Sequence, residues 1–331
     1  MSFTNTFDTT NTGSAVSNRE DLTDVLTILA PEETPILSSA DKKKASSTFV
    51  EWTVDSLAAP STSGISEGAD VTAFTDQFAG RAKLGNRVQK FRRDYMVSDM
   101  QEAVDSVGPA KIAQAEAKAI RELKRDIEAT LASANTQATE NGAGTANALG
   151  GLGDWIQNAA GSANVPAAFQ TPAASIVDAG ATLSESEFNG LITSIFGVTG
   201  STNNLMLIAD TTLRSDISDF ARTTASATDN VRSVNYDGNS GEIKLSVDLY
   251  QSDHGIVSIV NGNPDCMPTQ GGTAGMMGYL VNPEYYGVHE LIPMGSTRLP
   301  NLGGGERGFV DCALTLGVYH PGAHGKIVSL S

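Results

Sequence analysis

Apolar and polar positions alternate most cleanly in Phe49-Val50-Glu51-Trp52-Thr53-Val54-Asp55, where Val50, Trp52 and Val54 share one side. A period of two predicts a strand. A second run, Arg87-Val88-Gln89-Lys90-Phe91-Arg92-Arg93-Asp94-Tyr95, predicts the returning limb, and Ala58-Ala59-Pro60-Ser61-Thr62-Ser63-Gly64 lies loosely between them. Residues 46–97 therefore predict a long β-hairpin. Two strands alone are marginal in water. Such an arm needs a surface, either on its own chain or on another copy.

Elsewhere the period changes to that of a helix. Residues 109–134 place Ile112, Ile120, Leu123, Ile127 and Leu131 near one stripe, with Lys118/Glu122 and Lys124/Glu128 as i,i+4 opposites. At ~1.5 Å per residue the predicted helix is roughly 40 Å long, a strut rather than a core helix. Gly108-Pro109 precedes it, and proline suits a first turn. Capping boxes predict three further starts, at Ser17-Asn18-Arg19-Glu20, Ser98-Asp99-Met100-Gln101 and Ser184-Glu185-Ser186-Glu187. The first helix carries Leu22, Val25, Leu26 and Leu29, and Pro31 and Pro35 are expected to end it. The third carries Phe188, Leu191, Ile192 and Ile195.

Leu205-Met206-Leu207-Ile208-Ala209 is an unbroken apolar run and predicts a buried strand. Asp210 is placed to cap a helix with Leu213, Ile217 and Phe220. The helix–strand–helix order predicts an α/β subdomain. Alternation over 242–249, a turn at 251–255 and runs at 256–260, 279–281, 286–292, 310–318 and 326–328 predict the remaining strands. Residues 135–172 read as loops with one hairpin.

Composition narrows the function classes. The chain has 331 residues and a net charge of −16, with 18% charged and 6% aromatic residues. Through Leu131 there are 20 acidic and 15 basic residues, net −5; beyond it, 18 and 7, net −11. Such a chain repels phosphate and does not read as a nucleic-acid gripper. The N-terminus is polar and lacks the pattern of a signal peptide, and no apolar run reaches membrane-spanning length. Two isolated cysteines, Cys266 and Cys312, form no CxxC or disulfide framework and read as small buried residues made in a reducing cytosol.

No catalytic constellation emerges, and no cofactor or metal site is expected. Walker, GxGxxG and GxSxG motifs are absent. Gly303-Gly304-Gly305-Glu306-Arg307-Gly308 reads as a connection rather than a phosphate cradle, since no helix follows it. His320 and His324 are four apart, but Pro321 and Gly322 spoil a helix between them, so they read as surface residues in a turn. His254 reads as a turn residue and His289 as a strand residue. Glu32, Glu33 and Glu67 read as surface acids.

The return limb is different. Arg81, Lys83, Arg87, Lys90, Arg92 and Arg93 fall within thirteen residues. A charged strand edge resists aggregation, and Phe91 with Tyr95 offers bases a stacking surface. The favoured reading is a basic arm lying on the acidic region of a neighbouring copy.

The order of parts then resembles the tailed-phage major capsid protein of the HK97 fold. The N-terminal third carries most of the match: Asn18-Arg19-Glu20-Asp21-Leu22, Ala30-Pro31-Glu32-Glu33-Thr34-Pro35, Glu51-Trp52, Glu67-Gly68-Ala69-Asp70 and Glu122-Leu123-Lys124-Arg125-Asp126-Ile127-Glu128 resemble one branch of these proteins, the SU10-like group. Cys312-Ala313-Leu314-Thr315-Leu316 through Lys326-Ile327 resembles the closing strand of the P-domain. The resemblance implies an α+β fold: N-terminal arm 1–45, E-loop hairpin 46–97, P-domain 98–170 with its spine helix at about 109–134, α/β A-domain 171–288 and P-domain return strands 289–331. It implies hexamers and pentamers of this chain in an icosahedral virion shell around double-stranded DNA, assembled in the host cytoplasm, with a portal and scaffold or decoration proteins as further partners. No membrane and no sequence-specific DNA contact are implied. Glu67, Arg81, Lys83, Arg87, Lys90, Arg92 and Arg93 become the expected E-loop contacts; Arg121, Glu122, Lys124, Arg125 and Glu128 mark the spine helix. Some members fuse neighbours through a Lys–Asn bond; nothing singles out Lys83 or Lys90 for it. The chain begins almost at the arm, so a separate scaffold, or none, is expected. An encapsulin-like compartment is the alternative shell.

Overall fold

A computed structural model describes residues 33–104, 111–158, 165–180, 182–202, 204–220, 247–267, 269–270 and 274–329. The helix expected after Ser17, the Gly108-Pro109 break and most of the 242–249 strand lie outside the described residues.

The first sheet has the order β1–β11–β12–β4, comprising β1 (Asp41–Lys44), β4 (Gln89–Val97), β11 (Tyr286–Leu299) and β12 (Glu306–Val318). β1 runs parallel to β11, and the other pairs are antiparallel. α1 (Pro35–Ser39) and α2 (Asp99–Ala103) flank it in sequence. Pro35 opens this helix at its first turn, as its fixed φ and missing N–H allow.

The long helix α3 (Lys111–Ala132) lies against β4 and β12. Its 22 residues span about 33 Å. Leu123, Ile127 and Leu131 are wholly buried and share one core with Phe91, Tyr95, Val310, Cys312, Leu314 and Leu316. The 3.6-residue stripe therefore meets a two-residue alternation, the usual way a helix covers a sheet.

The second sheet has the order β5–β13–β10–β6–β8–β7, with β9 also on β10. Its strands are β5 (Ile176–Asp178), β6 (Leu205–Ala209), β7 (Leu249–Ser252), β8 (Gly255–Asn261), β9 (Thr269–Gln270), β10 (Ala274–Val281) and β13 (Gly325–Val328). α4 is the short turn Leu152–Trp155; α5 (Glu185–Thr199) and α6 (Thr211–Phe220) cover one sheet face. Ser184 and Glu187 close the capping box reciprocally. Leu205, Leu207, Leu280 and Ile327 pack against Phe188, Leu191, Ile195, Leu213 and Ile217. Met206, Ile208, Tyr279, Val281 and Val328 face the other way, into the core of α3. This sheet is a wall between two cores, which is why its strands read as unbroken apolar runs. Tyr279 Oη donates to Ala132 O at 2.5 Å and so satisfies a carbonyl at the end of α3.

Three expectations are corrected. β13, expected among the return strands of 289–331, pairs with β10 and β5 in the second sheet. β11 begins at Tyr286, inside the segment expected to belong to the α/β subdomain. The His320–His324 turn is buried rather than on the surface: Thr171 Oγ1 donates to Pro321 O at 3.0 Å, and Phe169 meets His320 edge-on. His324 is fully buried, its Nδ1 accepts from Asn282 N at 3.2 Å, and burial lowers its pKa to about 4.

Candidate intersubunit surface

The hairpin is β2 (Phe49–Val54) against β3 (Ala82–Arg87), with Phe49 opposite Arg87 and Val54 opposite Ala82. Its root is fixed to the chain's own core. Leu84 is 1% exposed. Trp52 packs 5.5 Å from Trp155 and 6.1 Å from Tyr319, ring centre to ring centre. Asn86 is wholly buried: its Nδ2 donates to Gly150 O and Leu316 O, and its Oδ1 accepts from Gly150 N. With every amide hydrogen bond inside the protein, Asn86 ties the hairpin to β12 and to the segment before α4.

The return limb is not one strand of the hairpin, a correction to the expected 46–97 arm. It divides at Val88, whose N–H donates to Thr48 O and whose side chain is buried. Residues before it pair with β2; residues after it join β12 in the first sheet, with Phe91 opposite Cys312 and Arg93 opposite Val310. Lys90, Arg92 and Arg93 therefore lie on the sheet. Phe91 and Tyr95 are buried in the core, which removes the stacking surface the sequence suggested.

Most of the basic residues already have partners. Arg81 Nε reaches Asp55 at 3.1 Å, Lys83 Nζ reaches Glu51 at 2.9 Å and Lys90 Nζ reaches Asp311 at 3.0 Å. Arg93 forks onto Asp126 at 2.6 and 2.8 Å, joining β4 to α3, and the carboxylate raises its pKa. Arg87 lies over the Phe49 ring at 5.0 Å. Arg92 is exposed, without an ion pair among the described residues. On α3, Glu122 pairs with Lys118 at 3.7 Å and Arg125 with Asp265, while Arg121 and Lys124 are exposed. Glu128 does not pair with Lys124. It is buried and accepts the amides of Ile36 and Leu37.

Among the described residues the hairpin's loop presents a largely uncovered surface. Residues 56–80 are exposed throughout and belong to no helix or strand. Leu57 is 99% and Phe74 91% exposed; Ile65, Val71 and Phe78 are also exposed. Its charged residues are Glu67, Asp70 and Asp76, with no lysine or arginine. A second apolar patch lies where β11 turns into β12, with Leu299 and Leu302 beside Met96, Met100 and Val104 exposed around α2. The glycines here make the turn: Gly303 and Gly305 have φ of +94° and +126°, and both amides donate to Asn301 Oδ1. Those amides are unavailable to a phosphate. Contiguous exposed apolar surface marks an interaction site.

Groups with catalytic chemistry are dispersed. Among the described residues no three His, Cys, Asp or Glu side chains gather to hold a metal ion. Burial pushes the Cys266 and Cys312 thiols up to about 11 and about 12. No described helix is long and apolar enough to cross a membrane.

Two sheets sharing one core, a strut helix along the first and an uncovered loop define the class: an HK97-like shell protein. The same fold appears in the capsid of the cyanophage P-SCSP1u, at 12% identity, covering 100% of both chains with a TM-score of 0.64. The capsid of a native GTA particle matches over 98% of this chain and 99% of its own, at 11% identity and a TM-score of 0.62. A chain from Gordonia phage Cozz matches over 96% of this chain and 93% of its own, at 12% identity and a TM-score of 0.57. The family model for the SU10 major capsid protein matches residues 3–331, and the chain belongs to that family. It is a major capsid protein of tailed phages, a virion shell component assembled from many copies of itself. No curated protein sequence matches it.

Proposed function

We propose that loop 56–80 is the E-loop by which each subunit grips the next, and that its contact is apolar and acidic rather than basic. One observation carries this: Leu57, Ile65, Val71, Phe74 and Phe78 project from a hairpin whose root is already packed. Of the residues expected to make the contact, Glu67 lies within this loop. Arg92 is exposed on the first sheet as a candidate receiver for an acidic loop. Arg81, Lys83, Lys90 and Arg93 hold intrachain carboxylates and serve first to set the hairpin and sheet. Repeated in hexamers and pentamers, contacts of modest strength become a stable shell through multivalency.

The shell encloses double-stranded DNA by confinement. A net charge of −16 and the burial of Phe91 and Tyr95 favour a wall that does not grip the duplex. A portal at one vertex, scaffold or decoration proteins, and synthesis in the host cytoplasm complete this reading. Leu57→Ser combined with Phe74→Ser tests the loop: negative-stain microscopy is expected to show no closed shells while circular dichroism keeps the wild-type spectrum. Normal shells from the double variant would refute the assignment.

A further inference from the structure

Glu128 sits in the last two turns of α3, 1% exposed, with its carboxylate turned toward α1. Oε1 accepts from Ile36 N at 2.8 Å and Oε2 from Leu37 N at 2.9 Å. These are the second and third residues of α1; the first, Pro35, has no N–H. One side chain thus satisfies the open amides of a turn more than ninety residues away in sequence. Neighbouring contacts fix the same joint. Asn263 Nδ2 donates to Glu33 O at 3.0 Å, Ser39 Oγ bonds Tyr286 Oη, and Ile36 is buried in the main core.

Among the described residues no cation faces this carboxylate; burial opposes its charge, and the two amides favour it less strongly. On β11 the facing group is the Tyr286 hydroxyl, and after β8 it is the Cys266 thiol, both neutral and both raised by burial. On α3 itself Arg125 is turned to Asp265. α1 carries no titratable side chain, and in the following β1 Lys42 pairs with Glu290 and Lys43 with Asp41. A buried carboxylate with no counter-ion is costly as an anion.

We propose that Glu128 is a proton-gated clasp between the N-terminal arm and the long helix: docking of α1 takes up a proton, and losing that proton loosens the joint. Burial pushes the docked carboxyl up to about 7 from its ordinary 4.5, and undocking returns it to the ordinary range. Docking is therefore fully favoured below about pH 4.5 and weakens as pH rises through about 7. The joint governs more than five residues. α1 leads directly into β1, the edge strand of the first sheet, and then into the hairpin. The proposal concerns the single subunit and does not depend on where the loop docks.

Amide hydrogen exchange on the unassembled full chain tests it, followed by mass spectrometry over residues 33–40 and corrected for the intrinsic pH dependence of exchange. Opening at Ile36 and Leu37 is expected to increase on the order of 50-fold from pH 5 to pH 8, while exchange in α5 stays constant. In Glu128→Gln, which cannot ionise, that pH dependence is expected to vanish whatever its absolute level. A flat wild-type profile, or an unchanged profile in Glu128→Gln, would overturn the clasp. Should the variant expose α5 as well, the wild-type profile alone decides.

Discussion

The root and the loop of one hairpin make opposite use of apolar residues. At the root, Trp52, Val54 and Leu84 join the main core, and Asn86 is bonded on every side. In the loop, Leu57, Ile65 and Phe74 meet solvent. A hairpin is marginal by itself; this one is stabilised at its base by its own chain and is left incomplete at its far end. On the proposed reading of the loop, the difference marks where folding ends and assembly begins. Substitutions at the root are expected to change stability, and substitutions in the loop are expected to change association alone.

The largest effect is expected at the root. Leu84→Ala removes a fully buried side chain and is expected to cost about 2–5 kcal/mol, read as a lower urea midpoint. A loss as small as that of a surface substitution would show that the root is not part of the core. By contrast, Phe74→Ser is expected to leave the midpoint within ~0.5 kcal/mol while lowering the yield of shells.

Acid–base behaviour sharpens the contrast between core and loop, because the strongly shifted groups lie in the core. His324 is held neutral, with its pKa lowered to about 4, so its contribution to stability is present above its ordinary 6.5 and is lost as pH falls toward 4. Glu128 is raised to about 7, so its contribution is present below 4.5 and is lost as pH rises toward 7. Between pH 4.5 and 6.5 the two slopes oppose each other. Glu128→Gln is expected to leave the histidine slope uncompensated, so that stability rises with pH by about 1.4 kcal/mol per unit relative to wild type. Identical stability–pH profiles for the two proteins would remove Glu128 from the account.

The smallest effect is expected at the surface pairs. Lys83→Ala breaks an exposed bridge to Glu51 and should cost about 0.2–1 kcal/mol, less in high salt. A larger, salt-independent loss would mean that the hairpin depends on charge rather than on Trp52 and Leu84.

Much of this architecture was legible in the chain. The stripe of Leu123, Ile127 and Leu131 marks α3, Ser184 and Glu187 mark the start of α5, and the unbroken run of β6 reports a strand buried on both faces. Alternation reports which face a residue takes but not which strand it pairs with. The change of partner at Val88 therefore left no trace in a run that keeps its period. Pro321 and Gly322 marked the turn correctly, but its burial comes from Phe169 and Thr171, some 150 residues earlier. Glu128 was placed opposite Lys124 by helical spacing; its position beside Ile127 and Leu131 was the available sign of burial, and its amide partners are distant in sequence. Of the candidate surface, the loop's position was readable. That the basic residues nearby already hold Asp55, Glu51, Asp311 and Asp126 was not readable, because only the fold brings those contacts together.

Sedimentation velocity on a chain whose residues 57–79 are replaced by a short Asn-Gly turn tests the division between root and loop most directly. A compact, folded subunit is expected, one that stays unassembled under conditions where the wild-type chain forms shells. Shells sedimenting as wild type, formed at wild-type yield, would contradict it.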